Sequence, residues 1–170
     1  VLFRSKGSDV VNGFNASGSA WVHSGWSPAI CHTCYTTASL DPAYPAAGLP
    51  DQVFVDGTPL TQVRQRSLVV DGTFFVDTTN RQLVLGSDPA GHTVEATVEE
   101  KAVQFNAGSD GSVVRGIGFA HYAAHYNMDV PAAVIVNTSG IVLDHVTVAW
   151  SASRAVSILD SNAVVTDSTF

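Results

Sequence analysis

The chain has 170 residues, of which 45% are hydrophobic and 14% charged, and its formal net charge is −7. This length suits one domain with a sizeable core, and the apolar content excludes intrinsic disorder. Lys6 and Lys101 are its two lysines, so electrostatic binding to nucleic acid is excluded. No apolar run reaches the roughly 18 residues that cross a bilayer. The 14 glycines and the many Val, Thr, Ser and Asn residues predict strands and turns.

The two ends of the chain carry signs of a fragment. We expect residues 1–5 (VLFRS) to be foreign to the natural protein, because they match the translated read-through of a common sequencing adapter. Residues 167–170 (DSTF) stop inside an alternating apolar pattern, which leaves a strand edge uncovered. We therefore expect the N-terminal part of a longer protein.

The first 50 residues contain strands, a cysteine pair and a connector. Residues 13–26 predict one or two strands, and residues 35–50 form a Pro- and Ala-rich connector. Cys31 and Cys34 flank His32 in a C-x-x-C pattern, but the prolines that follow forbid the helix of a redox motif. A zinc site would need two ligands besides the cysteines, and His23 and His32 alone make a weak case for it. A local disulfide in an exported protein is favoured, and a pair of buried free thiols is the alternative.

Residues 51–98 show clean two-residue alternation and predict a small antiparallel module. Strands at 53–55 and 60–63 flank the turn Asp56-Gly57, and strands at 72–76 and 82–85 flank a second turn. A further strand is predicted at residues 93–98. The hydrophobic alternation therefore predicts two hairpins and one more strand ahead of the C-terminal part.

The last third of the chain repeats itself. Residues 102–119, 133–148 and 155–170 each contain three short apolar strands, a polar turn and a two-residue corner. The repeats begin 31 and 22 residues apart, which is too short for a meander of ordinary hairpins and fits one coil of a parallel β-helix. Stacking would place Phe119 beside Val148 and Phe170. The sequence lacks the leucine consensus of a leucine-rich repeat, and a β-sandwich would not explain why the three segments resemble one another.

Several phrases of the sequence resemble a known group of proteins. VFVDG at 53–57, GTFFVD at 72–77 and LVLG at 83–86, followed by the repeats, resemble secreted bacterial right-handed parallel β-helix proteins of the pectate-lyase-like superfamily. Some glycosidases of this architecture carry a similar inserted β-module. The resemblance implies an all-β chain: N-terminal strands and connector over 1–50, the antiparallel module over 51–98, and parallel β-helix coils over 99–170. It implies little about chemistry, since the superfamily holds lyases, hydrolases, epimerases and non-catalytic surface proteins.

Corner residues of the repeats are the candidates for catalysis. Polysaccharide cleavage needs two carboxylates at the scissile bond, or Ca²⁺ with a basic residue. Asp144, His145 and Asp167 are the candidate catalytic residues, and Asp144 and Asp167 lie in neighbouring corners, offset by one position. Alternatively, these side chains satisfy backbone groups of the turns.

A long loop after Phe119 supplies candidates for substrate binding. Aromatic rings beside histidines can stack on sugar rings. Packing within the loop is the alternative, and a metal at the histidine pair would have Asp129 as its one obvious third ligand. The candidate residues are His121, Tyr122, His125 and Tyr126, with Trp150 and Arg154 from the corresponding loop of the next repeat.

The function expected from these observations is that of a carbohydrate-active protein. We predict a secreted or cell-surface monomer that acts on a polysaccharide as a glycoside hydrolase or polysaccharide lyase. The alternative is a non-catalytic exported protein that binds a glycan or a surface. No cofactor is expected, with Ca²⁺ as an open alternative, and neither nucleic acid nor a membrane is an expected partner. The catalytic centre is expected on coils beyond this chain.

Overall fold

A computed structural model describes residues 3–34, 40–125, 132–159 and 162–170, with side chains from Ser5 onward. The regular structure in these ranges is all strand, apart from a short 3-10 helix at Arg66–Leu68. Over the same ranges, no helix has the length and apolarity needed to span a membrane. The predicted all-β class is therefore confirmed.

The repeats build three parallel sheets, each of which receives one strand from successive repeats. The stacking orders are β1-β13-β16, β11-β14-β17 and β12-β15-β18. These strands are β1 (Phe3–Lys6), β11 (Val103–Phe105), β12 (Val113–Arg115), β13 (Ile117–Tyr122), β14 (Ala132–Val136), β15 (Val142–Asp144), β16 (Thr147–Ser151), β17 (Arg154–Ile158) and β18 (Val164–Thr166).

The predicted register of the repeats is confirmed. Phe119 pairs with Val148, and the corner residue Arg115 pairs with Asp144, which pairs with Thr166. Apolar side chains at equivalent positions consequently stack into one core, whose fully buried members include Val134, Val136, Ile141, Leu143 and Val146. Phe170 is 54% exposed at the end of the predicted Phe119 column.

Residues 3–5, expected to be foreign, form most of β1. This strand pairs in parallel with β13, Phe3 opposite Ile117 and Lys6 opposite Ala120. It therefore occupies the rung next to the first repeat in that sheet, and Ser5 Oγ lies 2.7 Å from the Tyr122 hydroxyl.

Two sheets form the module, and their strands pair in antiparallel fashion except for the parallel pairing of β7 with β8. One has the order β2-β10-β5-β6 and the other the order β3-β4-β9-β8-β7. Their shared core includes Val53, Phe74, Leu83, Leu85 and Val94. The strands are β2 (Ser8–Val10), β3 (Asn15–Ser17), β4 (Ala20–Ser24), β5 (Val53–Val55), β6 (Thr58–Pro59), β7 (Thr61–Gln62), β8 (Thr73–Asp77), β9 (Gln82–Leu85) and β10 (Val94–Thr97).

The module differs from the prediction at two points. It begins earlier, because β2, β3 and β4 join its sheets ahead of residue 51. The first predicted hairpin is also shorter: β5 pairs with β6 over two positions, and β7 then pairs in parallel with β8. The Leu60 N–H still donates to the Val53 carbonyl at 2.8 Å, whereas the next N–H, of Thr61, donates to the Gly72 carbonyl at 3.0 Å, so the chain crosses to the other sheet between these two residues.

The module and the repeats meet where β1 passes into β2. Gly7 lies between these strands, and a Cβ at this position would stand 2.6 Å from the Tyr122 ring and 2.7 Å from the His121 carbonyl oxygen. Only glycine permits so close a passage. On the module side, the Phe54 ring stacks on the His121 ring with a centroid distance of 3.7 Å. This contact packs the module against the repeats.

Candidate functional site

A cleft of about 540 Å³ opens where the connector, the module and the second repeat meet. This volume lies within the range of small-molecule sites, which combine apolar walls with a few placed polar groups. Its walls include the rings of Tyr44, Phe74 and Trp150, and its polar lining includes Asp51, Gln52, Thr61, Gln62 and Arg64.

Trp150 is the exposed aromatic wall of the cleft. Its side chain remains 52% exposed although it belongs to a strand of the stacked repeats. The backbone there has a φ of 55°, a left-handed conformation that is uncommon for a bulky residue. The ring centroids of Phe54 and Trp150 lie 6.0 Å apart, and the ring planes make an angle of 70°, which is an edge-to-face contact. Phe54 therefore supports one side of the indole while another part of it faces solvent.

The position of Trp150 follows from the geometry of the repeats. Ala120 pairs with Ala149 and Tyr122 with Ser151, so His121 and Trp150 are equivalent residues of adjacent strands. Both have left-handed backbones, with φ of 63° and 55°. The same local bend therefore recurs in both repeats and brings both side chains against Phe54.

The polar floor of the cleft centres on Asp51, whose side chain is 3% exposed. His32 Nε2 lies 2.9 Å from Asp51 Oδ1, and Gln62 Nε2 donates to Asp51 Oδ2 at 3.1 Å. The hydrogen bond to Asp51 raises the pKa of His32, with a smaller contribution from the charge of Glu100 and against the effect of burial. The protonated imidazole is therefore favoured beside the carboxylate.

The cysteine pair holds His32 in this position. Cys31 and Cys34 form a disulfide with Cα atoms 5.5 Å apart, and His32 lies inside the small ring that it closes. The Cys31 N–H donates to Glu100 Oε1 at 2.6 Å. The same carboxylate oxygen lies 3.4 Å from His125 Nε2, so the loop is tied to the buried side of the repeats.

Two glutamine side-chain oxygens beside the cleft accept no hydrogen bond from the described residues. Gln52 Oε1 and Gln62 Oε1 are buried, with no hydrogen-bond partner within the described part of the chain. Buried acceptors are normally paired, and an unpaired one at a cleft calls for a water or a ligand group.

The three candidate catalytic residues come together at the corner of the repeats. The ligand atoms of Asp144, His145 and Asp167 lie within 4.8 Å of one another. Asp144 accepts from Arg115 Nε at 2.5 Å, and its other oxygen lies 2.5 Å from His145 Nδ1. These two hydrogen bonds, His145 first, lower the pKa of Asp144.

The corner and the cleft are separate surfaces. The described residues that line the cleft include Trp150 but none of Asp144, His145 and Asp167. Because Asp144 already binds Arg115, His145 and Thr166, the corner also fits the alternative in which these residues stabilise the turns. The catalytic assignment stays a prediction.

Three of the predicted binding residues point inward. His121 lies against Ser8 and Phe54, with its Nδ1 2.9 Å from Ser8 Oγ. Tyr122 is buried, which raises the pKa of its hydroxyl, and His125 is buried facing Glu100. Each of these side chains is buried against its own partners within the protein, so packing within the loop explains their positions better than sugar or metal binding does.

The remaining predicted residues divide between the cleft, the surface and the undescribed part. Trp150 lines the cleft, and Arg154 is exposed at the start of β17. Tyr126 and Asp129 lie outside the described residues. No sequence pattern marks Tyr44, Asp51 and Gln62 as a site, since they belong to an aperiodic connector and to strand ends.

Comparison with protein-family models and with curated proteins gives no match. Among solved structures, the structure of XylC in complex with xylose is similar, with a TM-score of 0.51 and 13% identity. The similarity covers 86% of this chain and 31% of the XylC chain, so this chain spans about a third of that protein's length. At this identity the similarity shows the fold, an all-β architecture with parallel sheets, and not the activity.

Proposed function

We propose that this chain is part of an exported, right-handed parallel β-helix protein that binds carbohydrate in the cleft between its module and its coils. The observation that carries the proposal is Trp150, a half-exposed indole held in a left-handed backbone conformation at the cleft wall. An indole fixed in this way offers a flat apolar face to the C–H face of a sugar ring.

The other walls of the cleft suit the same ligand. Tyr44, 67% exposed, supplies a second aromatic ring, and Asp51 with the other polar residues of the lining supplies hydrogen-bonding groups for hydroxyls. A few polar groups within apolar walls are the usual composition of a small-molecule site. The similarity in fold to a protein whose structure holds xylose agrees with a sugar as the ligand.

The polysaccharide-cleaving activity belongs, in this proposal, to the larger protein. Asp51 is the one carboxylate among the described residues that line the cleft, whereas glycoside hydrolysis ordinarily uses two. The corner residues Asp144, His145 and Asp167 remain the candidates that this chain would contribute to a hydrolase or lyase centre. A non-catalytic glycan-binding protein is the second candidate function, favoured by the single carboxylate of the cleft.

Binding measurements on Trp150 variants test the proposal. Xylose, xylo-oligosaccharides and polygalacturonate are titrated into the 170-residue chain, and binding is followed by calorimetry and NMR. We expect Trp150→Ala to weaken saccharide binding about tenfold or more, which corresponds to about 1.4 kcal/mol. Leu159→Ala is the matched control, since Leu159 is equally exposed at 52% and lies outside the cleft lining.

Two results would contradict the proposal. One is the absence of binding for every saccharide by the folded wild-type chain. The other is an unchanged affinity in Trp150→Ala, with far-UV circular dichroism showing that the variant is folded.

A further inference from the structure

The burial of Asp51 requires an explanation beyond the stability of the fold. Its side chain is 3% exposed although it lines the cleft. A buried carboxylate is costly unless hydrogen-bonded partners compensate, and replacing such a group with an apolar one is often neutral for stability. Stabilisation of the fold therefore does not account for a carboxylate at the floor of the cleft, whereas hydrogen bonding to a ligand does.

The partners of Asp51 leave it able to accept more hydrogen bonds. His32 and Gln62 each occupy one oxygen, while a carboxylate offers about four acceptor positions. The groups that face His32 in turn are Asp51 and the charge of Glu100, and Glu100 also faces His125. The position of the Asp51 carboxylate is thus set by His32, whose own position is set by the disulfide ring.

We propose that Asp51 is the hydroxyl-binding anchor of the cleft for a neutral sugar, and that His32 is its positioning residue, held in place by the Cys31–Cys34 disulfide. This inference rests on the proposed function and adds the ligand class and the dependence on the disulfide. A neutral sugar is preferred because the remaining acceptor positions of Asp51 require hydroxyl donors, whereas the carboxylate of a uronate has no proton to donate to them.

Reduction of the disulfide breaks this arrangement. A dithiol such as dithiothreitol gives two electrons and two protons to the S–S bond, forming the Cys31 and Cys34 thiols and its own cyclic disulfide. The ring around His32 then opens, and the loop regains conformational freedom. Asp51 keeps Gln62 but loses a fixed imidazole, so the anchor is no longer held in one orientation.

The first measurement needs no sugar. The imidazole of His32 is titrated by NMR in the oxidised chain, in the chain reduced with dithiothreitol, and in Asp51→Asn. We expect the pKa of His32 to be raised in the oxidised wild type and to fall toward about 6.5 in the other two samples. An unchanged titration on reduction would overturn the positioning role of the disulfide.

The second measurement is the affinity for xylo-oligosaccharides and for oligogalacturonates. We expect reduction, or His32→Ala, to weaken xylo-oligosaccharide binding about tenfold, whereas His32→Gln keeps an N–H donor and recovers most of it. His92→Gln is the matched control, because His92 also binds an aspartate, Asp56, at 2.6 Å but does not line the cleft.

The outcomes separate this inference from the proposed function. Saccharide binding that is lost in Trp150→Ala but unaffected by reduction and by Asp51→Asn leaves the proposed function standing and overturns the anchor. Stronger binding of oligogalacturonates than of xylo-oligosaccharides overturns the ligand class. The absence of all binding contradicts the proposed function itself and the anchor with it, while the His32 titration still decides whether the disulfide positions His32.

Discussion

Individual residues in left-handed conformations shape the corners and the cleft wall. Gly116, His145 and Asp167 follow the stacked residues Arg115, Asp144 and Thr166, and their φ angles are 68°, 55° and 48°. The corner therefore demands the same conformation in each repeat, whichever residue occupies it. Glycine adopts this conformation without strain, whereas in other residues it raises the free energy of the folded state by about 1–2 kcal/mol.

This conformational demand predicts opposite effects for two corner substitutions. Gly116→Ala should lower the free energy of unfolding by about 1 kcal/mol, because a Cβ at Gly116 meets no atom within 4 Å and only the backbone is strained. Asp167→Gly should be neutral or stabilising, since it removes strain from the equivalent corner. Urea unfolding of both variants measures this, and equal destabilisation by both would contradict it.

At the scale of elements, the junction of β1 and β2 joins the parallel sheets to the module. β1 pairs with β13 in one sheet, and β2 pairs with β10 in another, so the chain changes sheets at Gly7. The Phe54 ring on His121 closes the same junction from the module side. The cleft wall at Trp150 depends on this contact, because Phe54 also supports the indole.

The crowding at Gly7 predicts that an added methyl group disrupts the junction. In Gly7→Ala the Cβ would stand 2.6 Å from the Tyr122 ring and 2.7 Å from the His121 backbone, and a backbone atom yields little. We expect a loss of about 2 kcal/mol or more in unfolding free energy.

Gly13→Ala is the control for this substitution. Gly13 has a φ of 76° with open space around it, so only its backbone strain of about 1 kcal/mol applies. Urea unfolding of the two variants is compared. A Gly7→Ala variant as stable as wild type would show that the chain between β1 and β2 is not closely packed against Tyr122 and His121.

At the scale of the whole molecule, the cleft and the corner cluster lie on different surfaces. The cleft lining holds one carboxylate among the described residues. The corner cluster holds two, Asp144 and Asp167, but Arg115 and His145 already engage Asp144. Glycoside hydrolysis ordinarily uses a pair of carboxylates at the scissile bond, which the cleft does not supply. Binding and cleavage are therefore expected to separate in this chain.

This separation predicts binding without turnover. The 170-residue chain should retain xylo-oligosaccharides while releasing no reducing ends and no unsaturated products from plant or microbial polysaccharides. Reducing-sugar assays and ultraviolet absorbance of unsaturated sugars measure the two kinds of cleavage. Products above the level of a heat-denatured sample would contradict the prediction and place a catalytic centre within this chain.

The amino-acid sequence by itself determined the all-β class, the register of the repeats and the one-position offset between Asp144 and Asp167. It could do so because stacked strands repeat the same inward positions, and that repetition is written locally in the apolar pattern. The hairpin of β8 and β9 was equally readable from alternation around a turn.

Only the tertiary structure decided which polar and aromatic residues share a site. Tyr44, Asp51 and Trp150 belong to a connector, a strand end and a repeat, and only long-range packing brings them to one cleft. It also turned Tyr122 inward, since Gly7 passes close to its ring and the Ser5 hydroxyl is hydrogen-bonded to its own hydroxyl. Periodicity records what each strand does within its own sheet, but contacts between unlike segments leave no periodic trace in the sequence.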